Sequence, residues 1–498
     1  MTQSASTSTT ASNTPGARDS RWLALIVLCT GMLMIVLDMT IVNVALPAIQ
    51  TDLGFSQSSL AWVVNAYLIA FGGLLLLAGR LGDLIGRKRI FLTGLGVFTA
   101  ASILCGLSGS PEVLIGARFV QGVGGAMATA VTLGMIVTMF PEPDEQAKAI
   151  GVFSFVAAAG ASVGLLAGGV LTQSLNWHWI FFVNIPIGIV AALLAARLVA
   201  NDRGIGFGQG ADVIGAVLVT GALMLGVYTI VKTEEHGWAS LHTIGLGVLA
   251  VALLAGFILR QLRAANPLLP LRIFRSRNVS GANLVQILMV AGMFGMFFLG
   301  TLYMQKVLGY DALQIGLGFL PTALAIGGLS VGLSARLITR FGARQVLIVG
   351  LVLILAGLTL FTRLPVDGGY FGDLLPAILL VGLGAGLSFP SLMTLAMSGA
   401  TADDAGLASG LVNTTAQVGG ALGLAVLATL STSRTTGLLA AGEPTAAALT
   451  SGFRLAFGIG AVLIVAAVAL AVGMLRSAPA PGAGENPAEE PEPARAAA

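Results

Sequence analysis

The chain has 498 residues, 56% of them apolar and only 9% charged, with a net charge of +3. A soluble domain carries about 25% charged residues, so this chain lacks the charge to cover a water-facing surface. A large soluble enzyme, a nucleic-acid-binding protein and a disordered chain are excluded, and no nucleic-acid partner is expected. The 67 glycines suit helices that approach closely inside lipid, where small residues let backbones meet.

Residues 1–20 are Ser/Thr-rich and polar, and bury too little to order themselves; they read as a disordered cytoplasmic tail. Crossing a bilayer takes about 20 apolar residues. Such segments follow at 22–47, 58–79, 88–109, 112–139, 147–172, 178–200, 211–231, 241–262, 279–304, 313–335, 344–364, 372–397, 406–431 and 452–475. The result is an all-α polytopic membrane protein with fourteen transmembrane helices. The first segment is longer than a signal-peptide core and lacks a small-residue cleavage site, so it stays in the mature chain. Residues 477–498, rich in Ala, Pro and Glu, form a second disordered cytoplasmic tail.

An even number of spans puts both termini on one side, and the Lys/Arg distribution selects the cytoplasm. Of the 25 Lys and Arg, only Lys232, Lys306, Arg363, Arg434 and Arg454 fall outside; Arg118 lies within a span, and the other nineteen are inside. The chain also repeats itself. Arg80, Leu81 and Gly86 match Arg336, Leu337 and Gly342, and Val163-Gly164 matches Val418-Gly419, at two nearly equal offsets. Spans 1–6 then correspond to spans 9–14 as two parallel repeats with two helices inserted, a transporter architecture. The expected domains are six-helix bundles at 21–200 and 279–476, with the inserted helices and their linker at 201–278.

In chain order, the first span carries Asp38, the only acid deep in a span. It lies roughly 24 Å from the cytoplasmic end at about 1.5 Å per residue. Arg118, in the fourth span, is about 10 Å from the outer end, so the two share the outer half of the bilayer. They could form a static pair between helices. The preferred reading is proton exchange at Asp38: desolvation favours the neutral carboxyl and a nearby Arg the ionised one, so a movement that changes either contact changes proton affinity.

Between spans 2 and 3, Gly79, Arg80, Gly82, Asp83, Gly86 and Arg87 form a glycine-rich reversal with one acid among bases, read as a conformational latch rather than a topogenic loop alone. In span 5, Gly151, Gly160, Gly164, Gly168 and Gly169 make a smooth groove suited to close helix contact, by generic packing or by gating. Thr40, Asn43, Asn65, Gln121, Asn184, Asn283, Gln286, Asn413 and Gln417 are polar within spans and are the candidates for a substrate cavity or for interhelical bonds. Met293, Phe294, Met296, Phe297 and Phe298 read as packing, and Trp177, His178 and Trp179 as an interfacial belt. Cys29 and Cys105 sit near opposite faces, which argues against a disulfide. Three scattered histidines argue against a metal site.

These motifs resemble the major facilitator superfamily, specifically its fourteen-helix drug:proton antiporter group. Leu37-Asp38-Met39-Thr40-Ile41-Val42-Asn43-Val44-Ala45-Leu46-Pro47 is similar to that group's helix 1 signature, Gly79 to Arg89 to the superfamily's helix 2–3 loop, and Arg118-Phe119-Val120-Gln121-Gly122 to its helix 4 signature. Trp177 to Gly188 is similar to the group's helix 6 segment. The resemblance implies alternating access driven by inward proton flow, with Asp38 and Arg118 as coupling residues and Asp83 and Arg87 holding one gating state. It implies protons as coupling ion with no other cofactor. Span 5 departs from the antiporter pattern at Leu165, where the family has a proline associated with the helix bend of exporters.

The expected function is a proton-coupled antiporter exporting hydrophobic or cationic small molecules, drugs and antibiotics among them, and working as a monomer in the bilayer. A transporter dedicated to one endogenous metabolite or lipid is the alternative. A receptor or scaffold would not need the lone deep Asp or the duplicated loop, and no nucleophile–base pair supports an enzyme. The excess of Arg over Lys, with abundant Ala and Gly, suggests a GC-rich bacterial genome and hence the inner or sole cell membrane.

Overall fold

The computed structural model describes residues 15–140, 142–202, 204, 206, 212–265, 267–398 and 405–476, and among these it contains helices and no strand. In hydrocarbon every backbone N–H and C=O must be satisfied inside the segment, which a helix alone does for a single apolar span. The helices in chain order are α1 (Pro15–Leu53), α2 (Gln57–Leu60), α3 (Trp62–Ile85), α4 (Arg87–Gly106), α5 (Pro111–Met139), α6 (Pro143–Ser174), α7 (Trp179–Phe182), α8 (Asn184–Leu198), α9 (Val213–His236) and α10 (Leu241–Arg263). They continue as α11 (Arg277–Lys306), α12 (Ala312–Gly328), α13 (Ser334–Phe341), α14 (Ala343–Phe361), α15 (Leu375–Ser398), α16 (Ala405–Ala440) and α17 (Thr445–Gly473).

Each of the fourteen expected spans falls on a helix or a consecutive helix pair. Among the described residues twelve helices are long and apolar enough to cross a membrane, while the apolar stretches Val163–Ser174 and Ala312–Gly328 are shorter. Helix α12 continues through a π-turn, Leu329–Leu333, into α13. At the start, α1 begins at Pro15, inside the segment expected as tail; proline's fixed φ suits a first helical position. Residues 1–14 and 477–498 lie outside the described residues.

The chain divides into two compact units, Met1–Leu269 with Thr301–Leu320, and Pro270–Gly300 with Pro321–Ala498. Within the first, α4 crosses α5 where both are glycine: a Cβ added to Gly94 would stand 2.8 Å from the Gly124 carbonyl. Helix α6 lies on α1, with Gly164 and Gly168 against the carbonyls of Leu37 and Ile41 at 2.9 and 2.8 Å from an added Cβ. Helix α9 packs on α3, with Gly73 against Thr220.

The second unit repeats this packing. A Cβ added to Gly350 of α14 would stand 2.7 Å from the Gly384 carbonyl of α15, as one on Gly94 would meet Gly124. On α16, Gly419 and Gly423 meet Ile287 and Ala291 of α11, as Gly164 and Gly168 meet Leu37 and Ile41. The turns agree too: Gly86 has φ +113 and ψ +130, Gly342 φ +84 and ψ +145, a conformation that side chains with a Cβ rarely adopt.

Candidate functional site

Asp38, fully buried on α1, is met by three donors from two other helices. Its Oδ2 accepts from Arg118 Nη1 of α5 at 2.6 Å. Its Oδ1 accepts from Gln121 Nε2 of α5 and from Asn184 Nδ2 of α8, each at 2.8 Å. Arg118 is 1% exposed; its Nε donates to the Val63 carbonyl of α3 at 2.9 Å and its Nη1 also to Gln121 Oε1 at 2.6 Å. The guanidinium carbon stands 4.5 Å from the Tyr67 ring centre and 5.8 Å from that of Phe181. Gln121 Nε2 donates onward to Ser102 Oγ of α4 at 2.8 Å.

A buried charge pair is tolerated only when its remaining donors and acceptors are satisfied. Here two amides and a carbonyl complete the shell. The carboxylate has one charged donor and two neutral ones: Arg118 and Gln121 come from α5, and Asn184 comes from α8.

Gln121 and Asn184, candidates for a substrate cavity or for interhelical bonds, are therefore partners of the ion pair. Thr40 and Asn43 bond the carbonyls of α1 itself, at Val36, Leu37 and Met39. Asn65 is fully buried and neither end of its amide has a partner among the described residues; the same holds for Tyr67 Oη and Asn184 Oδ1. In the second unit Asn283 donates to the Val279 carbonyl and accepts from Thr415, while Gln286 Oε1 and Gln417 Oε1 are buried without a partner among the described residues. Asn413 is exposed.

The cluster has no counterpart in the second unit. The correspondence of Leu37 with Ile287 puts Leu288 at the place of Asp38; that of Gly94 and Gly124 with Gly350 and Gly384 puts Ile378 and Val381 at those of Arg118 and Gln121. Sequence reasoning passed over Ser102, Tyr67 and Phe181; polar and aromatic residues on helices flanking the two charges were the available signal.

The reversal expected over Gly79–Arg89 is confined to Gly86. Gly79, Arg80, Gly82 and Asp83 all lie in the last turns of α3, since none of them adopts the positive φ that breaks the helix. Arg87 donates to Asp83 Oδ1 through Nε at 3.3 Å and Nη2 at 3.1 Å, and through Nη1 to the Gly134 carbonyl of α5 at 3.1 Å. Gly82 packs on Val131 and Gly79 faces Ala130, which brings the end of α3 onto α5. On α6, Gly160 meets Leu33 and Val36 of α1, and Gly169 meets Ala312 and Leu313 of α12; Gly151 lies further back on the same helix. Leu165, buried within an unbroken α6, presents its carbonyl to Gly316 of α12. Of the residues expected as an interfacial belt, Trp177 is buried and donates to Asp52 Oδ2 at 2.9 Å, while Trp179 is exposed.

The model of the Major Facilitator Superfamily matches residues 28–424. The chain is 41% identical over 462 residues to the puromycin resistance protein pur8 of Streptomyces alboniger, covering 91% of this chain and 92% of that protein. It is also 41% identical to the cephamycin export protein CmcT of Amycolatopsis lactamdurans, over 83% and 86% of the two chains. It is 37% identical to the tetracenomycin C resistance and export protein of Streptomyces glaucescens, over 84% and 77%. Among solved structures, the inward-facing, unoccupied bacterial homologue of the human lysosomal transporter Spinster overlays with a TM-score of 0.65 at 16% identity, over 91% of this chain and 96% of that one. A matched model across most of the length, close relatives and the shared helical fold agree: the chain is a multi-pass membrane transporter and belongs to the major facilitator superfamily.

Proposed function

We propose that this transporter exports hydrophobic or amphipathic small molecules, antibiotics among them, from a bacterial cytoplasm in exchange for protons. The observation that carries the reading is the sealed pair of Asp38 and Arg118, held by Gln121 and Asn184 in one repeat and replaced by apolar residues in the other. A charge deep in a span costs about 2.5–3.5 kcal/mol on insertion scales, so a pair with no structural counterpart across the repeat is best accounted for by work it does. Proton entry supplies the driving force, roughly 2.3 kcal/mol per charge for each 100 mV. In this reading the protein works as a monomer in the cell membrane, with both termini in the cytoplasm.

One step suffices for coupling. With Asp38 ionised and bonded to Arg118, α1 and α5 are locked; with a proton on Asp38, Arg118 turns to its remaining acceptors and the helices are free to move. A substrate shifts this balance only by binding the two forms unequally. The unpartnered acceptors Gln286 Oε1 and Gln417 Oε1 favour substrates with a hydrogen-bond donor, such as an amine.

A second reading is supported by the relatives, several of which are named for a single compound: a dedicated exporter of one metabolite. A drug-sensitive bacterial host expressing the chain tests both. Resistance to puromycin together with lipophilic cations such as ethidium is expected; resistance to one compound alone would select the dedicated exporter, and no resistance with the protein present in the membrane would contradict both.

A further inference from the structure

The first turn of α4 begins without a cap of its own. Gly86 stands in the capping position, offers no side chain, and its φ of +113 disfavours the Ser, Thr, Asp or Asn that ordinarily accepts from the first amides of a helix. The acceptor comes instead from 115 residues further along the chain. Asp202, in the segment that leaves α8, accepts from the Arg87 amide through Oδ2 and from the Lys88 amide through Oδ1 at 3.1 Å.

Other contacts fasten the same segment to the same turn. Lys88 Nζ donates to the Ala196 carbonyl at the end of α8, at 2.8 Å. The Gly206 amide donates to the Leu84 carbonyl at 3.0 Å. Gly204 rests directly on the backbone of Leu84 and Ile85, and a Cβ on Gly86 would stand 3.0 Å from the Asp202 carbonyl. Backbone groups are thus held before the turn, at Leu84, and after it, at Arg87 and Lys88.

Arg87 is consequently fixed at both ends. Asp83 and the Gly134 carbonyl hold its guanidinium, and Asp202 holds its amide. A carboxylate on helix amides makes a charge-assisted bond that also complements the helix dipole. Asp202 is exposed, so water can replace it at modest cost, which suits a contact that is made and broken. Residue 202 belongs to the connection between α8 and the inserted helix α9, so any displacement of that connection is transmitted to the turn.

We propose that Asp202 is a positioning residue of the gate: it clamps the first turn of α4, and with it Arg87, in the state seen here, and transport releases and re-forms this clamp. The proposal rests on the reading of the chain as an exporter.

The test uses the full-length protein in lipid nanodiscs and in inverted vesicles, with ethidium as probe. Hydrogen exchange at the amides of Arg87 and Lys88 is expected to be at least ten-fold faster in Asp202→Ala than in wild type. Asp202→Asn, which keeps one acceptor, falls between them and stands in should the alanine variant not fold. Asp202→Ala is expected to lower the maximal transport rate at least five-fold with KM within two-fold of wild type, and Asp202→Glu to recover part of the rate; a plain loss of stability would not separate the two constants. Unchanged exchange at Arg87 and Lys88 overturns the clamp, and faster exchange with a wild-type rate overturns its part in transport. Should wild type itself fail to move ethidium, the exporter reading loses its support. The exchange comparison, with and without an imposed pH gradient, then decides the clamp: a wild-type signal that does not respond to the gradient overturns it.

Discussion

Arg118 Nη1 lies 2.6 Å from Asp38 Oδ2 with both side chains sealed from solvent, while the matched positions of the second repeat hold Leu288 and Ile378. The two repeats share their helix crossings and their turn conformation but not this pair. The asymmetry confines the proposed proton chemistry to one repeat and leaves apolar residues at the matched positions of the other.

Removing one member of a buried pair strands the other charge and costs about 3–5 kcal/mol. Arg118→Gln is therefore expected to lower the melting temperature in detergent strongly. Asp38→Asn keeps an acceptor for the Gln121 and Asn184 amides but strands the Arg118 guanidinium, and is expected to lower it as well. The combined Asp38→Asn/Arg118→Gln variant should recover most of the stability without recovering gradient-driven export. A double variant no more stable than Arg118→Gln alone would show that the pair is not the unit of stabilisation.

The α6–α1 crossing tolerates no side chain at Gly164, where an added Cβ runs into Thr40 and the Leu37 carbonyl. Gly164→Val is expected to destabilise by about 1–3 kcal/mol and to abolish transport. Val at Gly96, with nothing near an added Cβ, should leave both within error. Equal melting temperatures for the Gly164 and Gly96 variants would refute the close crossing.

Asp212 caps α9 and binds α10. Burial raises its pKa, but the Gly215 amide and the side chains of Arg260 and Gln261 outweigh burial and hold the carboxyl below its usual range. A lowered folded pKa contributes stability that is present above the unfolded value of about 3.9 and is lost as pH falls through the folded value. The α9–α10 hairpin should therefore resist proteolysis equally at pH 7 and pH 5, and Asp212→Asn should loosen it at both. Loosening of wild type between pH 7 and pH 5 would contradict this.

Gln286 is 3% exposed and its Oε1 lacks a protein partner among the described residues. If the acceptor serves substrate, Gln286→Leu changes the order of preference among amine-bearing and neutral compounds by ten-fold or more while stability rises or holds. An unaltered substrate profile, read from export rates across a panel, would remove Gln286 from recognition.

Spans, repeat and ion pair were legible because they follow from long-range regularities: apolar length, the nearly equal spacing of Gly86/Gly342 and Gly164/Gly419, and a lone acid at the depth of a lone base. The partners of that pair were less so. Gln121 and Asn184 were visible as polar residues within spans, but nothing in the chain says which amide turns toward Asp38, because that depends on helix rotation. Asp202 was invisible for a different reason: it caps a helix that begins 115 residues earlier, and capping is ordinarily sought next to the helix. The Trp177–Asp52 bond was hidden for the same reason, its partner lying 125 residues away.

The central claim is that Asp38 carries the exchanged proton. Its most direct test follows proton release optically in inverted vesicles with a preset pH gradient, on adding ethidium or puromycin, for wild type and Asp38→Asn. Substrate-triggered release in wild type and none in a folded Asp38→Asn is the predicted result. Release at the wild-type rate from Asp38→Asn would contradict it.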